Sequence, residues 1–240
     1  MRIVLANDTD VMAMTAADLV EGLLAQKPAA HLVLPTGASP LPLYRELVRR
    51  KVDLSAARLT KLDEWYRLPR RHPATCEAFL WEHLLEPLRY PRDRFLAFDS
   101  DADDPSVECR RMGRAFEERG PADLCILGLG MNGHLGLIEP AEALPLHAHV
   151  AALSEESRRH PMLSGVAEPP TRGLTLGIAD LLQSKEILFL VSGAHKADVF
   201  RRWEASPLAT TFPSSTLHLH PNVTTIVDRE AAYRSTSTPT

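Results

Sequence analysis

Short apolar runs alternate with stretches whose apolar residues recur at helical spacing along most of the chain. Arg2–Ala6 reads as a short strand, and Thr9 opens a helical pattern carrying Met12, Ala16, Leu19 and Leu23. His31–Leu34 is a second apolar run, ended by Pro35-Thr36-Gly37, and Leu41–Arg50 is helix-like with Leu43, Leu47 and Val48 on one face. Arg58–Leu62 predicts a third strand, Cys76–Leu88 a helix that groups Phe79, Leu80, His83 and Leu84, Arg94–Phe98 a strand, and Pro105–Arg119 a highly charged helix. Asp123–Gly128 is continuous, apolar and followed by glycine-rich sequence, the pattern of a buried strand. Gly173–Leu176 and Glu186–Val191 supply two more strands with a short helix between them; Ala194–Trp203 is a helix and Val223–Val227 a last strand.

Strand and helix alternating this often predicts βαβ units and an α/β fold: a Rossmann-like, open, mainly parallel sheet. Right-handed crossovers place helices on both faces. Pro140–Ser164 and the stretch around Glu168-Pro169-Pro170 read as long loops, and no internal repeat is visible. Residues 1–234 are expected to form a single domain, and the tail Ser235–Thr240 has nothing to bury and is expected to fray.

Composition narrows the function classes. Lys and Arg total 27 against 31 Asp and Glu, a net charge of −4, which disfavours nucleic acid and gives no help toward an anionic membrane. No apolar run approaches the roughly 20 residues of a membrane span. Met1–Asp8 soon turns acidic with no long apolar stretch, so no signal peptide is expected. The three cysteines, Cys76, Cys109 and Cys125, lie far apart and fit a reducing compartment. The expectation is a cytoplasmic enzyme with a small-molecule substrate; the oligomeric state is not legible.

In open α/β sheets ligands bind beyond the carboxyl ends of the strands. Leu34-Pro35-Thr36-Gly37-Ala38-Ser39-Pro40 follows a strand and opens a helix, so its bare N–H groups, the helix N-terminus and two hydroxyls suit a phosphate. Ser39 before Pro40 reads equally as an N-cap. In Lys61-Leu62-Asp63-Glu64-Trp65-Tyr66, two adjacent carboxylates of an extended chain cannot point the same way. One can face a cleft as a base while the other pairs elsewhere, or both belong to a solvated turn. Gly128-Leu129-Gly130-Met131-Asn132-Gly133-His134-Leu135-Gly136-Leu137-Ile138-Glu139-Pro140 spells G-x-G-x-x-G. Gly136 and Pro140 interrupt any helix, so a titrating His134–Glu139 pair fits it better than a dinucleotide site. Gly193-Ala194-His195-Lys196 follows a strand, and Lys196 can reach an anion there. The alternating pairs His147/His149 and His218/His220 lack a completing Cys or carboxylate, so no metal and no cofactor are predicted.

In order along the chain, these segments resemble the glucosamine-6-phosphate deaminase/galactosamine-6-phosphate isomerase family, in one superfamily with the 6-phosphogluconolactonases. L-P-T-G-A-S-P is similar to its phosphate loop. K-L-D-E-W with L-P-R-R-H-P-A-T-C is similar to its D-E-[YW] and L-P-x-x-H-P motifs. G-L-G-M-N-G-H-L-G-L-I-E-P resembles its G-x-G-x-[DN]-G-H-x-x-x-x-E-P, and T-L-G-I-A-D-L-L and G-A-H-K-A its later segments. D-E-W, the T-C after H-P, and T-R-G-L-T-L-G are most similar to the galactosamine-6-phosphate isomerase branch. H-L-G-L-I-E-P replaces the lactonase-type H-T-A-S-L-F-P.

The resemblance implies isomerisation of an amino-sugar 6-phosphate with loss of ammonia. It implies Asp63 as the base between C2 and C1, and His134, supported by Glu139, as the group that opens the ring. Thr36, Gly37, Ala38, Ser39, Gly128 and Lys196 would bind the substrate and its phosphate. Asn132, where many relatives carry Asp, would position and not titrate. The family's phosphate-binding arginine, in an N-S-R-F-F-like segment, falls opposite R-R-H-P-M-L-S-G. Arg158, Arg159 and Arg172 are its possible substitutes, with Arg172 taken into the binding set. No strong activator control is expected. A sugar-phosphate lactonase using His134 on water, and a non-catalytic sugar-phosphate sensor, are the alternatives.

Overall fold

The computed structural model describes residues 1–233; the tail Ser235–Thr240 lies outside the described residues. In chain order the elements are β1 (Arg2–Ala6), α1 (Thr9–Gln26), β2 (His31–Leu34), α2 (Leu41–Arg50), β3 (Arg58–Lys61), β4 (Asp63–Trp65), α3 (Cys76–Leu80) and β5 (Phe95–Leu96). Then follow α4 (Pro105–Arg119), β6 (Leu124–Gly128), β7 (His149–Ala152), α5 (Glu155–Arg158), β8 (Arg172–Thr175), α6 (Ile178–Leu182), β9 (Ile187–Val191), α7 (Ala197–Ala205), β10 (Val223–Asp228) and α8 (Arg229–Ala232).

Seven strands form one parallel sheet in the order β1-β10-β9-β6-β2-β3-β5. Its central strands are buried on both faces, which is why β2 and β9 read as unbroken apolar runs. Alternate residues of the same strands feed opposite cores. Leu32, Leu34, Ile126 and Leu190 pack under α1 and α2 with Met12, Leu43 and Tyr44. Val33, Leu127, Phe189 and Val191 pack under α4 and α7 with Phe116, Phe200 and Trp203. The expected α/β fold with helices on both faces is the one observed. The helix starts follow from capping: Asp8 accepts from Val11 N in α1, and Asp104 from Ser106 N and Val107 N ahead of Pro105 in α4.

The structure departs from the expected elements in five places. The third strand ends at Lys61; one residue later β4 begins, in a separate antiparallel sheet ordered β4-β8-β7. The Gly173–Leu176 run belongs to β8 of that small sheet and not to the parallel one, with Asp63 opposite Thr175 and Trp65 opposite Gly173. Pro140–Ser164, expected as loop, carries β7 and α5. Cys76–Leu88 is α-helical only to Leu80 and continues as a π-helical turn over Trp81–Leu85, while Arg94–Phe98 contributes the two-residue β5.

The chain leaves β2 toward β3 but leaves the adjacent β6 toward β9, on the opposite side of the sheet. This reversal opens a crevice at the carboxyl ends of β2 and β6. The jump from β3 to β4 brings a third strand end to it.

Candidate active site

A cavity of about 650 Å³ occupies this crevice, and the loops after β2, β3, β6 and β9 all reach it, with the segment after α5 closing one side. Thr36, Gly37, Ala38 and Ser39 line the part beside the α2 N-terminus. Tyr44 anchors the loop by donating to Pro35 O at 2.7 Å, and Thr36 Oγ1 donates to Cys76 Sγ at 3.3 Å. Gly37 sits at φ +107°, which a side chain would strain. Ser39 does not cap α2: the cap residue is Pro40 and no side chain bonds the first turn. The free amides of this turn and the helix dipole therefore face the cavity together.

The neighbours Asp63 and Glu64 take opposite directions. Glu64 is fully buried and accepts from Lys61 Nζ at 2.5 Å, Trp65 N at 2.8 Å, Cys76 N at 2.9 Å and Glu77 N at 3.0 Å. Its carboxylate thus holds the α3 N-terminus against β4. Asp63 lines the cavity, 7% exposed, and its Oδ1 has no hydrogen-bond partner among the described residues. Burial first, then the neighbouring Glu64 charge, pushes its pKa up to about 7 against the opposing pull of Lys61.

The loop after β6 folds His134 back over Gly130, where a Cβ would stand 2.3 Å from the imidazole. Asn132 Oδ1 accepts from His134 N at 3.0 Å, and Asn132 Nδ2 donates to Glu139 Oε2 at 2.9 Å. That oxygen lies 3.8 Å from His134 Nδ1. The other Glu139 oxygen accepts from Ser154 N, Ser154 Oγ and Ser157 Oγ at 3.2, 3.0 and 2.5 Å. Burial pushes the His134 pKa down, with Glu139 pulling the other way. His134 is therefore a neutral imidazole beside a carboxylate that four donors keep in place. Lys196 reaches across from the turn after β9, donating to Leu129 O at 2.7 Å, and burial lowers its pKa to about 8.

The cavity thus gathers Thr36, Gly37, Ala38, Ser39, Asp63, Gly128, His134 and Lys196. Glu139 and Asn132 stand behind His134 and hold the loop. Arg172 is not brought in. It sits exposed at the start of β8 with its guanidinium 5.0 Å over the Tyr66 ring, because the pairing of β8 with β4 sets it beside Tyr66 while Trp65, opposite Gly173, takes the cavity side. Arg159 does line the cavity.

The sequence reading missed Ser154, Ser157, Trp65, His160 and Met162. The serine signal was present, since Ser154 caps α5 three residues ahead of Ser157 in S-E-E-S. The alternating histidines serve separate contacts, His147 with Asp180 at 2.9 Å, His218 stacked on Trp203 and His220 bonded to Ser184 O. Among the described residues, no cluster of His, Cys, Asp or Glu is placed to hold a metal, and no helix is long and apolar enough to cross a membrane.

The profile described as glucosamine-6-phosphate isomerases/6-phosphogluconolactonase matches residues 7–226. A protein of Escherichia coli (strain K12) named "Putative deaminase AgaI" is 39% identical over 217 residues, 89% of this chain and 86% of its own. A glucosamine-6-phosphate deaminase of Bacillus pumilus (strain SAFR-032) is 34% identical over 237 residues, 96% of this chain and 98% of its own. Among solved structures, a monomeric glucosamine-6-phosphate deaminase superposes with a TM-score of 0.91 at 32% identity, over 97% of this chain and 99% of that one. A 6-phosphogluconolactonase from Trypanosoma cruzi, at 17% identity and a TM-score of 0.79 over 98% of this chain and 97% of that one, shares the fold. The chain belongs to the glucosamine-6-phosphate isomerase/6-phosphogluconolactonase family.

Proposed function

We propose that this chain converts an amino-sugar 6-phosphate, with galactosamine 6-phosphate ahead of glucosamine 6-phosphate, into a ketohexose 6-phosphate and ammonia. The observation that carries the reading is the divided carboxylate pair. Glu64 is saturated with donors, while Asp63 is buried at the cavity with an oxygen unpartnered and its pKa near neutrality. That is the state of a general base able to take a carbon-bound proton and return it.

The phosphate rests on the amides and hydroxyls of Thr36–Ser39 at the α2 N-terminus, with Lys196 as a counter-charge. Neutral His134 takes the proton of the anomeric hydroxyl and delivers one to the ring oxygen, opening the pyranose; Glu139 holds the imidazole and steadies its charged form. Asp63 then removes the proton from C2 of the open aldose and returns it to C1, leaving an imine at C2. Water adds to that carbon and ammonia departs, giving the ketose. Asn132, bonded to both the His134 backbone and Glu139, positions the pair.

The galacto preference rests on the D-E-W and T-R-G-L-T-L-G segments and is the finer part of the proposal. The test is release of ammonia and ketose phosphate from galactosamine 6-phosphate and glucosamine 6-phosphate in parallel, with 6-phosphogluconolactone as control. Ammonia from either amino sugar supports the reaction, and the ratio of rates names the epimer. Fast lactone opening without ammonia overturns it in favour of the lactonase reading.

A further inference from the structure

The phosphate end of the cavity is short of committed cations. Lys196 already spends one donor on Leu129 O, Arg172 lies outside, and the Arg159 side chain is 77% exposed and paired with Glu155 at 2.9 Å. His160 is differently placed. It lines the cavity from the segment after α5, its ring packed at 5.7 Å against the Trp65 indole. Its Nδ1 accepts from Met162 N at 3.2 Å, as the cap of the short turn Pro161–Leu163. An Nδ1 that accepts leaves the ring proton of the neutral tautomer on Nε2. That Nε2 lies 3.5 Å from where a Cβ on Gly37 would stand, an ordinary contact distance, so the ring edge abuts the bare turn of the phosphate loop.

Resting on the sugar-phosphate reading above, we propose that His160 is a phosphate-binding residue of this site, an Nε2–H donor facing the Thr36–Ser39 amides across the bound phosphate. The loop supplies backbone donors on one side, His160 and Lys196 close the other, and Trp65 and Met162 N fix the imidazole so that only Nε2 is offered. The acceptor there is a dianion, so the neutral Nε2–H makes a charge-assisted bond while Nδ1 keeps the Met162 N–H.

The groups that share the cavity with His160 are Lys196 and His195 from the turn after β9, His134 from the β6 loop, Asp63 from β4, Glu156 from α5 and Arg159 just after it. Without ligand, burial and Lys196 hold the His160 pKa below its ordinary value. The contact is therefore made without proton uptake, whereas a guanidinium in its place would bring a full charge.

The experiment compares wild type with His160→Gln and His160→Arg, using inorganic phosphate affinity by calorimetry, KM and kcat for the amino-sugar phosphates, and histidine NMR of the wild type during phosphate titration. Expected are a tenfold or greater loss of phosphate affinity in His160→Gln, carried by KM and not by kcat, and affinity recovered in His160→Arg. The His160 Nε2–H signal should shift as phosphate is added, with the ring staying in its neutral Nε2–H form. Unchanged phosphate affinity in His160→Gln, or a ring signal that ignores phosphate, overturns the inference. Because phosphate binding is read without turnover, wild type that releases no ammonia but loses phosphate on His160→Gln counts against the proposed reaction and leaves this residue's role standing.

Discussion

At the scale of single residues, the surroundings of two adjacent carboxylates decide which can do chemistry. Glu64 takes four donors, which occupy both of its oxygens and tie it to Lys61 and the α3 N-terminus. Asp63 has burial without compensation, so holding its charge costs free energy and its pKa rises to about 7. Replacing Asp63 by Asn keeps the shape and removes the base, so turnover should fall roughly 10²–10⁴-fold while phosphate affinity stays within about twofold. In the wild type, kcat/KM should fall tenfold per pH unit below about pH 7, as Asp63 gains its proton. A variant that keeps near-full activity would remove Asp63 from the mechanism. This division was open in the sequence as one of two readings, because alternation along an extended chain separates the side chains. Arg172 and His160 show the limit of that reasoning: which cation reaches the cavity depends on the register of β8 and on a turn after α5, neither of which has a sequence period.

At the scale of elements, the buried Lys61–Glu64 pair ties the large sheet to the site. Both side chains are fully buried, Lys61 on β3 and Glu64 on β4, and Lys61 also donates to Phe98 O at 3.0 Å. Breaking such a pair leaves an uncompensated charge, so Glu64→Ala should cost about 3–5 kcal/mol in urea unfolding. Adding Lys61→Met should recover part of that loss, since the stranded ammonium goes with it. A cost below about 1 kcal/mol would mean that Glu77, 4.0 Å from Lys61, takes over the partnership and that α3 is held by packing. The central strands of the parallel sheet were legible as apolar runs because both of their faces are buried. The small β4-β8-β7 sheet was not. Asp63–Trp65 is too short to show alternation, His149–Ala152 was hidden in a presumed loop, and the run at Gly173–Leu176 carries no mark of strand direction.

At the scale of the whole molecule, the site's electrostatics appear in how folding stability depends on pH. Asp63 is an acid whose folded pKa, about 7, lies above its unfolded value near 4. The folded state therefore binds the extra proton, and stability is lost as pH rises across that window. His31 works the other way. It is fully buried between Gly120 O and Thr60 Oγ1, and burial lowers its pKa to about 4, so its contribution is present above about pH 6.5 and lost as pH falls toward 4. His134, also held neutral by burial, has the same sign. In wild type the two kinds of group oppose each other between pH 5 and 7.5, so stability rises less with pH than the histidines alone would make it. Asp63→Asn removes only the carboxylate's part, worth about 4 kcal/mol at pH 7.5 and about 1.5 kcal/mol at pH 5. The variant should thus melt higher than wild type at pH 7.5, with most of that gain gone by pH 5, where the histidine losses stand unopposed. Thermal unfolding of both proteins across this range measures the difference. A gain independent of pH would mean that Asp63 is not held near neutrality by burial, and the base assigned to the reaction would lose its physical ground.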